Sequence, residues 1–135
     1  MTDLTMKIST DKSYDDTVAL VKEQLGEAGF GVLTEIDMKA TLKKKLDVDI
    51  EPQVILGACR PQLAHAALQV DPSIAALLPC NVVVRTESDR TLVEAFDPDV
   101  MISMSPKATY ELRDIAGEAR ARLSDALKAV ESSDA

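Results

Sequence analysis

Two short apolar runs, separated by a helical segment, constrain the fold of this chain more than any other feature. The first run, residues 54–58, is β-branched at its start and lies between prolines, which favours a buried strand. The second run, residues 82–84, is three consecutive valines and predicts another strand. Between them, Pro61 suits the first position of a helix, where a missing N–H costs nothing, and the apolar residues after it recur at helical spacing. This part of the chain therefore predicts strand, helix, strand.

Both cysteines of the chain stand at joints of this segment. Cys59 follows the first strand and precedes the helix, while Cys80 stands at the entrance of the second strand. If the strands are antiparallel, or have one strand between them, the two cysteine-bearing ends can approach each other. The positive end of the helix dipole stabilises a thiolate at a helix N-terminus, and the positive charge of the adjacent Arg60 adds to this effect. The pKa of Cys59 is therefore expected to fall.

The first part of the chain shows both strand and helix periodicities. Apolar and polar residues alternate over residues 4–8 and again over 32–37, as in strands whose two faces differ. Between these strands, Ser13 is an expected N-cap for a helix with one apolar stripe. Residues 38–46 predict a short amphipathic helix with intervening lysines.

The last part predicts a hairpin and a long helix. A polar interval of hairpin length separates strands over residues 82–85 and 91–96. Ser105 suits the N-cap of a helix and Pro106 suits its first position, which predicts a helix over about 106–131. We therefore expect an α+β fold, in which helices pack on one face of a mixed sheet of about five strands. The predicted element order is β-α-β-α-β-α-β-β-α.

These segments resemble the domain of unknown function 302 family, a group of small, mostly prokaryotic proteins. The resemblance rests on Gly-Ala-Cys-Arg-Pro at 57–61, on Leu-Leu-Pro-Cys-Asn-Val-Val-Val at 77–84 and on Gly-Val-Leu-Thr-Glu-Ile-Asp at 31–37. It covers about residues 14–96, with one departure, since Arg60 stands where asparagine is more frequent. The resemblance implies a compact α+β fold that pairs as a homodimer, and it implies no known activity.

Length and charge restrict the class of protein. With 135 residues and 46% hydrophobic residues, the chain suits one globular domain, residues 1–135, with its core at about 14–96. A formal charge of −8 makes this an acidic protein and argues against nucleic acid and anionic membranes as partners. There is no apolar run of membrane-spanning length and no secretory signal, so we expect a cytoplasmic protein with free thiols.

No metal ion or cofactor is predicted. A structural zinc site needs four ligands, whereas the sequence has no Cys-x-x-Cys spacing and a single histidine, His65, to which no catalytic role is assigned. Glu35 and Asp37 lie two residues apart and are expected on the outer face of the second strand, where they could transfer a proton or bind a cation. The favoured interpretation is structural, with Asp37 as a helix cap.

Three interpretations of function follow, and whether the protein is an enzyme stays open. In the first, Cys59, Arg60 and Cys80 line a cleft of a homodimeric ligand-binding or sensing module, which takes a small anionic or thiol-reactive molecule. In the second, a thiol-dependent redox enzyme uses Cys59 as the nucleophile and Cys80 as the resolving thiol. In the third, the protein is a structural domain whose cysteines only fill space in the core.

Overall fold

A five-stranded sheet with helices forms the body of the protein in the computed structural model, which describes residues 4–107 and 109–133. The predicted α+β class is confirmed. The elements, in chain order, are β1 (Thr5–Thr10), α1 (Tyr14–Glu27), β2 (Gly31–Asp37), α2 (Met38–Leu46), β3 (Gln53–Cys59), α3 (Pro61–Val70), a 3₁₀ helix (Pro72–Leu77), β4 (Cys80–Glu87), β5 (Arg90–Phe96), α4 (Pro98–Ser103) and α5 (Tyr110–Ser132).

The strands lie in the order β1-β5-β4-β3-β2, and every described pairing is antiparallel, so the sheet is not mixed. A helix can connect two parallel strands or two antiparallel strands, so the order of the elements alone did not decide the strand directions. The predicted β4–β5 hairpin is confirmed: Glu87 pairs with Arg90, and Ser88 adopts the left-handed conformation, φ 57°, in the two-residue turn. β3 and β4 are neighbours, with Ala58 opposite Cys80.

The main core lies between one face of this sheet and helices α1 and α5. Alternate strand residues, among them Leu56, Val82 and Val93, are fully buried and pack against apolar side chains of both helices. Burying a side chain of this size contributes about 1.5–3 kcal/mol. The Ser13 cap of α1 is confirmed, since its hydroxyl accepts a hydrogen bond from the backbone N–H of Asp16 at 3.1 Å.

A second, smaller hydrophobic cluster joins α3, the 3₁₀ helix, α4 and α5. Its buried members are Ala67, Ile74, Ile102, Leu112 and Ala116. Helix α5 therefore contributes to both clusters, with Leu112 and Ala116 here and its later apolar residues in the main core. None of the described helices is long and apolar enough to cross a membrane.

Because of a β-bulge in β2, the side chains after the bulge lie on the opposite face of the sheet from the one predicted. Val32 pairs with Ala58 but Thr34 pairs with Gly57, so one extra residue, Leu33, stands between them and the alternation shifts by one. Glu35 consequently lies opposite Leu56, on the side of α1, where its carboxylate is 2.5 Å from the Lys22 ammonium. The prediction that these carboxylates occupy the outer face is wrong.

The long helix α5 starts at Tyr110, later than predicted, because Ser105 does not cap it. Its hydroxyl donates a 2.8 Å hydrogen bond to the buried carboxylate of Asp71, and it accepts one from the backbone N–H of Lys107. Thr109 instead caps α5, accepting from the N–H of Leu112. Before Ser105, the apolar residues Met101 and Ile102 lie in the short helix α4.

Gly57 is required by close packing. A β-carbon at this position would lie 2.1 Å from the Thr34 hydroxyl oxygen and 2.7 Å from a ring carbon of Pro79. We expect Gly57→Ala to lower the free energy of unfolding by about 1–3 kcal/mol, because overpacking displaces the neighbouring strand and the proline. Urea unfolding measures this change.

Gly117 provides the matched control for that substitution. It is exposed within α5, and a β-carbon there would meet nothing within 4 Å. Gly117→Ala is therefore expected to raise the free energy of unfolding by about 0.5–1 kcal/mol through helix propensity. Equal effects of the two substitutions would contradict the packing assigned to Gly57.

Candidate functional site

An apolar pocket lies where the ends of β3 and β4 meet α3, α4 and α5. It stands between the two hydrophobic clusters, and its walls include side chains from both. The cavity volume is about 40 Å³, and it rises to about 450 Å³ when the open space at the mouth is counted. Its apolar walls include Phe30, Leu63, Ile74, Leu78, Met101 and Ile115.

The three residues singled out from the sequence all line this pocket. Cys59 ends β3, Arg60 is the N-cap of α3, and Cys80 begins β4. Their shared position follows from the antiparallel pairing of β3 with β4, which brings the end of one strand beside the start of the other. A binding role for these three residues stays a prediction.

The two thiols are free and are not joined by a disulfide. Cys80 pairs with Ala58, the residue before Cys59. Because successive strand residues point to opposite faces of the sheet, the side chains of Cys59 and Cys80 start from opposite faces. Cys80 packs against the main core and Cys59 is half-buried. The structure thus does not show the two sulfurs as a facing pair.

Burial makes both thiols weaker acids. It raises the pKa of Cys59 above its ordinary value, and it raises the pKa of Cys80 to about 11, with a smaller contribution from repulsion by Cys59. The expectation that the helix dipole and Arg60 lower the pKa of Cys59 is therefore wrong. The cause of this rise is partial transfer of the charged thiolate out of water.

Arg60 contacts residues that sequence reasoning missed. Its Nε is 3.5 Å from a carboxylate oxygen of Glu118 on α5, and its side chain is 19% exposed. Arg122 approaches the same carboxylate from one turn further along α5, at 3.2 Å. Only the pairing of Arg122 with Glu118, four residues apart on one helix, has a local signal in the sequence.

A glycine allows this arginine to lie against the turn between α1 and β2. Gly29 has a φ of 91°, and a β-carbon there would be 2.5 Å from Nη1 of Arg60. Glycine is thus needed both for the backbone conformation and for the close approach of the guanidinium.

The other residues considered from the sequence, Glu35, Asp37 and His65, lie outside the pocket. Asp37 caps α2, as favoured from the sequence, accepting from the N–H of Ala40 at 2.9 Å. Burial raises the pKa of Tyr14, and the nearby carboxylates of Asp37, Asp15 and Glu35 raise it further. His65 is exposed on α3. Over residues 4–107 and 109–133, no group of three or more His, Cys, Asp or Glu side chains could hold a metal ion.

Comparisons with known proteins identify relatives of the chain. The family model described as Domain of unknown function DUF302 matches residues 6–130. A crystal structure of an uncharacterized conserved DUF302 protein from Bacillus stearothermophilus is 27% identical in sequence and superposes with a TM-score of 0.86. That similarity covers 94% of this chain and 98% of the other. No curated protein matches the chain.

The raised pKa values of Cys59 and Cys80 predict slow reaction of both thiols with alkylating reagents. In Cys80→Ser and Cys59→Ser variants, each retaining one thiol, we expect alkylation by iodoacetamide to be slower at pH 8 than for a peptide thiol. Burial keeps each thiol protonated in the folded state, with the midpoint for Cys80 lying well above the ordinary 9.0.

The same variants unfolded in urea are the control, and both should then react at the rate of a peptide thiol. A folded-state midpoint for Cys59 below that of a free thiol would contradict the burial effect and support an activated nucleophile.

Proposed function

The chain belongs to the family of the Domain of unknown function DUF302, and we propose that it is a homodimeric module that binds a small molecule in the pocket beside Cys59, Arg60 and Cys80. The observation that carries this proposal is the unfilled apolar space between two well-packed clusters. Protein interiors are otherwise close-packed, because each void forfeits dispersion contacts along its walls.

The lining of the pocket agrees with binding, and its volume restricts the ligand to a small one. Small-molecule sites are typically apolar concavities of about 300–1,000 Å³ with a few polar groups that orient the ligand. Here the cavity volume is about 40 Å³, below that range, and the accessible lining is almost wholly apolar, so the pocket as it stands suits a small apolar ligand.

Thiol-dependent redox chemistry has less support. Attack on a disulfide or peroxide requires a thiolate, and burial raises the pKa of both Cys59 and Cys80. A neutral Cys59 in an apolar wall is better suited to contacting a ligand than to nucleophilic attack.

Filling the pocket tests the binding proposal. Ala64 lines it and is partly exposed on α3, so Ala64→Met is expected to place its side chain into the empty space. We expect a panel of small apolar fragments, observed by saturation-transfer NMR, to bind the unmodified protein and to lose at least tenfold in affinity in this variant.

The matched control adds the same side chain elsewhere on the same helix. Gln69 is exposed and does not line the pocket, so Gln69→Met should leave fragment binding unchanged. If no fragment binds the unmodified protein, or if both variants bind as it does, the pocket is not a binding site.

The face of the sheet turned away from α1 and α5, which we term the open face, supports the homodimer. Its apolar side chains are only partly covered, in contrast to the fully buried residues that alternate with them. Ile36 is opposite Ile55, and Ile55 is opposite Val83, so three strands present one apolar row. Leu92 and Phe96 add apolar surface on β5.

Charges on the open face are balanced within it. Arg85 hydrogen-bonds Glu94 at 2.6 Å and also contacts Glu87, while Lys7 lies 3.9 Å from Glu94. Arg90, opposite Glu87 on the same face, contacts Asp11. Three cations thus match three carboxylates, although the whole chain carries −8. A second copy of an acidic chain meets less repulsion on such a neutral face than it would on a surface that carries the excess charge.

The area of the open face is adequate for a dimer. Five strands of about six residues, at the usual strand and residue spacings, present roughly 500 Å² per copy. Two such faces together reach the roughly 1,000 Å² expected of a specific interface. An interface of this kind is isologous, with each patch contacting its own equivalent about a twofold axis.

A charge placed in the apolar row tests the dimer. We expect the unmodified protein to sediment as a dimer at micromolar concentration and Val83→Glu to sediment as a monomer, because two like charges would face each other across the axis. Ala121→Glu, which adds the same charge at an exposed position of α5, is the control and should remain dimeric. A monomeric unmodified protein would refute the homodimer, and a dimeric Val83→Glu would refute this interface.

We also propose that the chain works as a single domain in the cytoplasm. The participation of α5 in both hydrophobic clusters supports one folding unit. Two free thiols are typical of proteins in a reducing compartment.

A further inference from the structure

The outer edge of β1 carries backbone groups without a partner strand. No strand within residues 4–107 and 109–133 pairs with this edge, and the register of β1 with β5 is continuous. At the end of that register, the N–H of Asp97 donates to the carbonyl oxygen of Leu4. Hydrogen-bonded pairs alternate along an antiparallel ladder, so the N–H and C=O groups of Thr5, Lys7 and Ser9 point away from β5. They are available to a further strand.

The two edges of the sheet differ in how well they resist such pairing. In β2, at the other edge, the bulge at Leu33 interrupts the ladder, which is a common protection against pairing with another chain. β1 has no bulge, and its only charged residue is Lys7. Antiparallel pairing of two copies centred on Lys7 would place two lysines opposite each other, which is destabilising. The edge therefore suits a different partner strand better than a second copy of β1.

A groove lies beside this edge, between β1 and α5. Met6 and Ile8 line it from the strand, where both are half-buried against the main core, and Leu127 lines it from the helix. Its volume is about 1160 Å³, compared with about 40 Å³ for the pocket beside Cys59. Because side chains alternate along a strand, a strand added to β1 would turn every second side chain into this groove. The groove and the free backbone groups thus fit the same kind of ligand, an extended peptide.

The exposed charges of the groove are mainly positive, although the whole chain carries −8. Lys7 lines the groove from β1, and Arg120 and Lys128 line it from α5, and all three side chains are exposed. Among the lining residues, the exposed carboxylate is that of Glu131. Such a local excess of positive charge favours an acidic partner.

The other two carboxylates that line the groove are mostly covered and already paired. Asp97 is 13% exposed and lies 3.2 Å from Arg120, and Glu94 is 17% exposed and lies 2.6 Å from Arg85. Lys7 is only loosely paired, since it lies 3.9 Å from Glu94. The ammonium groups of the two lysines of the groove are therefore available to carboxylates of a ligand.

From these features we propose that β1 binds an acidic peptide segment of another protein, which adds a sixth strand to the sheet. Apolar side chains of the segment enter the groove against Met6 and Ile8. Acidic side chains alternate with them, and one of these stands opposite Lys7, where an ion pair across the two strands stabilises the complex. The site is separate from the pocket beside Cys59 and does not depend on the function proposed for that pocket.

Two peptides that differ only in charge test the partner. Glu-Val-Glu-Val-Glu and Lys-Val-Lys-Val-Lys, each with an N-terminal fluorescein and an amidated C-terminus, are titrated with the full-length protein at low salt, and fluorescence anisotropy measures binding. We expect the acidic peptide to bind about tenfold or more tightly than the basic one, because it complements the exposed lysines. Added salt should weaken the acidic peptide.

Backbone methylation tests whether the peptide binds as a strand. With its glutamates opposite Thr5, Lys7 and Ser9, the N–H groups of the glutamates point at β1 and those of the valines point away. N-methylation of the central glutamate should therefore weaken the acidic peptide about tenfold or more. N-methylation of the valine after it is the matched control and should leave the affinity unchanged. Equal effects of the two methyl groups would overturn the added strand.

A charge reversal in the protein assigns the preference to the groove. Lys128→Glu should weaken the acidic peptide and strengthen the basic one, whereas Lys45→Glu, the same change at an exposed position of α2 outside the groove, should alter neither affinity. Equal effects of the two variants, or equal affinities of the two peptides for the unmodified protein, would overturn the acidic partner. Loss of peptide binding as the protein concentration rises would show that a second copy occupies the edge, and it would overturn the proposal as well.

Discussion

Packing of two helices against one face of an antiparallel sheet is the contact on which this structure depends. Leu25 from α1 and Leu123 from α5 are almost completely buried against Leu56 and the alternating valines of the central strands. The alternation of side chains along a strand means that covering one face leaves the other exposed. The open face and its apolar row are therefore a direct result of how the core is built.

The same arrangement creates the pocket. Helix α5 is long enough to leave the main core and to support a second cluster with α3 and α4. The strand ends bearing Cys59 and Cys80 meet the helices at the boundary between the clusters, where neither cluster fills the space. Arg60 stands at this boundary because it joins β3 to α3, so its charge borders an apolar cavity for topological reasons.

Local signals in the sequence predicted the elements that depend on neighbouring residues. The cap at Ser13, the cap at Asp37 and the turn of the hairpin between β4 and β5 each join residues three positions apart, and all three are confirmed. The short run of valines and the proline at the start of α3 likewise predicted β4 and α3 correctly.

Features that depend on distant residues were not predictable in the same way. The hydroxyl of Ser105 bonds Asp71, 34 residues away, so a motif typical of a helix start served another purpose. The bulge at Leu33 is defined only by its pairing with β3, and the pKa of Cys59 depends on how much protein surrounds the thiol. For the candidate site, the sequence identified three pocket residues, but it did not predict Glu118 and Arg122 beside Arg60.

The β2–α2 segment has a further consequence for the motions of the protein. β2 is an edge strand with mostly exposed side chains, and α2 contributes no buried residue. Regions that bury little open most readily, with free energies far below that of global unfolding. Amide hydrogens of this segment should exchange with solvent deuterium long before those of β4, so that one margin of the sheet can detach and re-form while the centre stays folded.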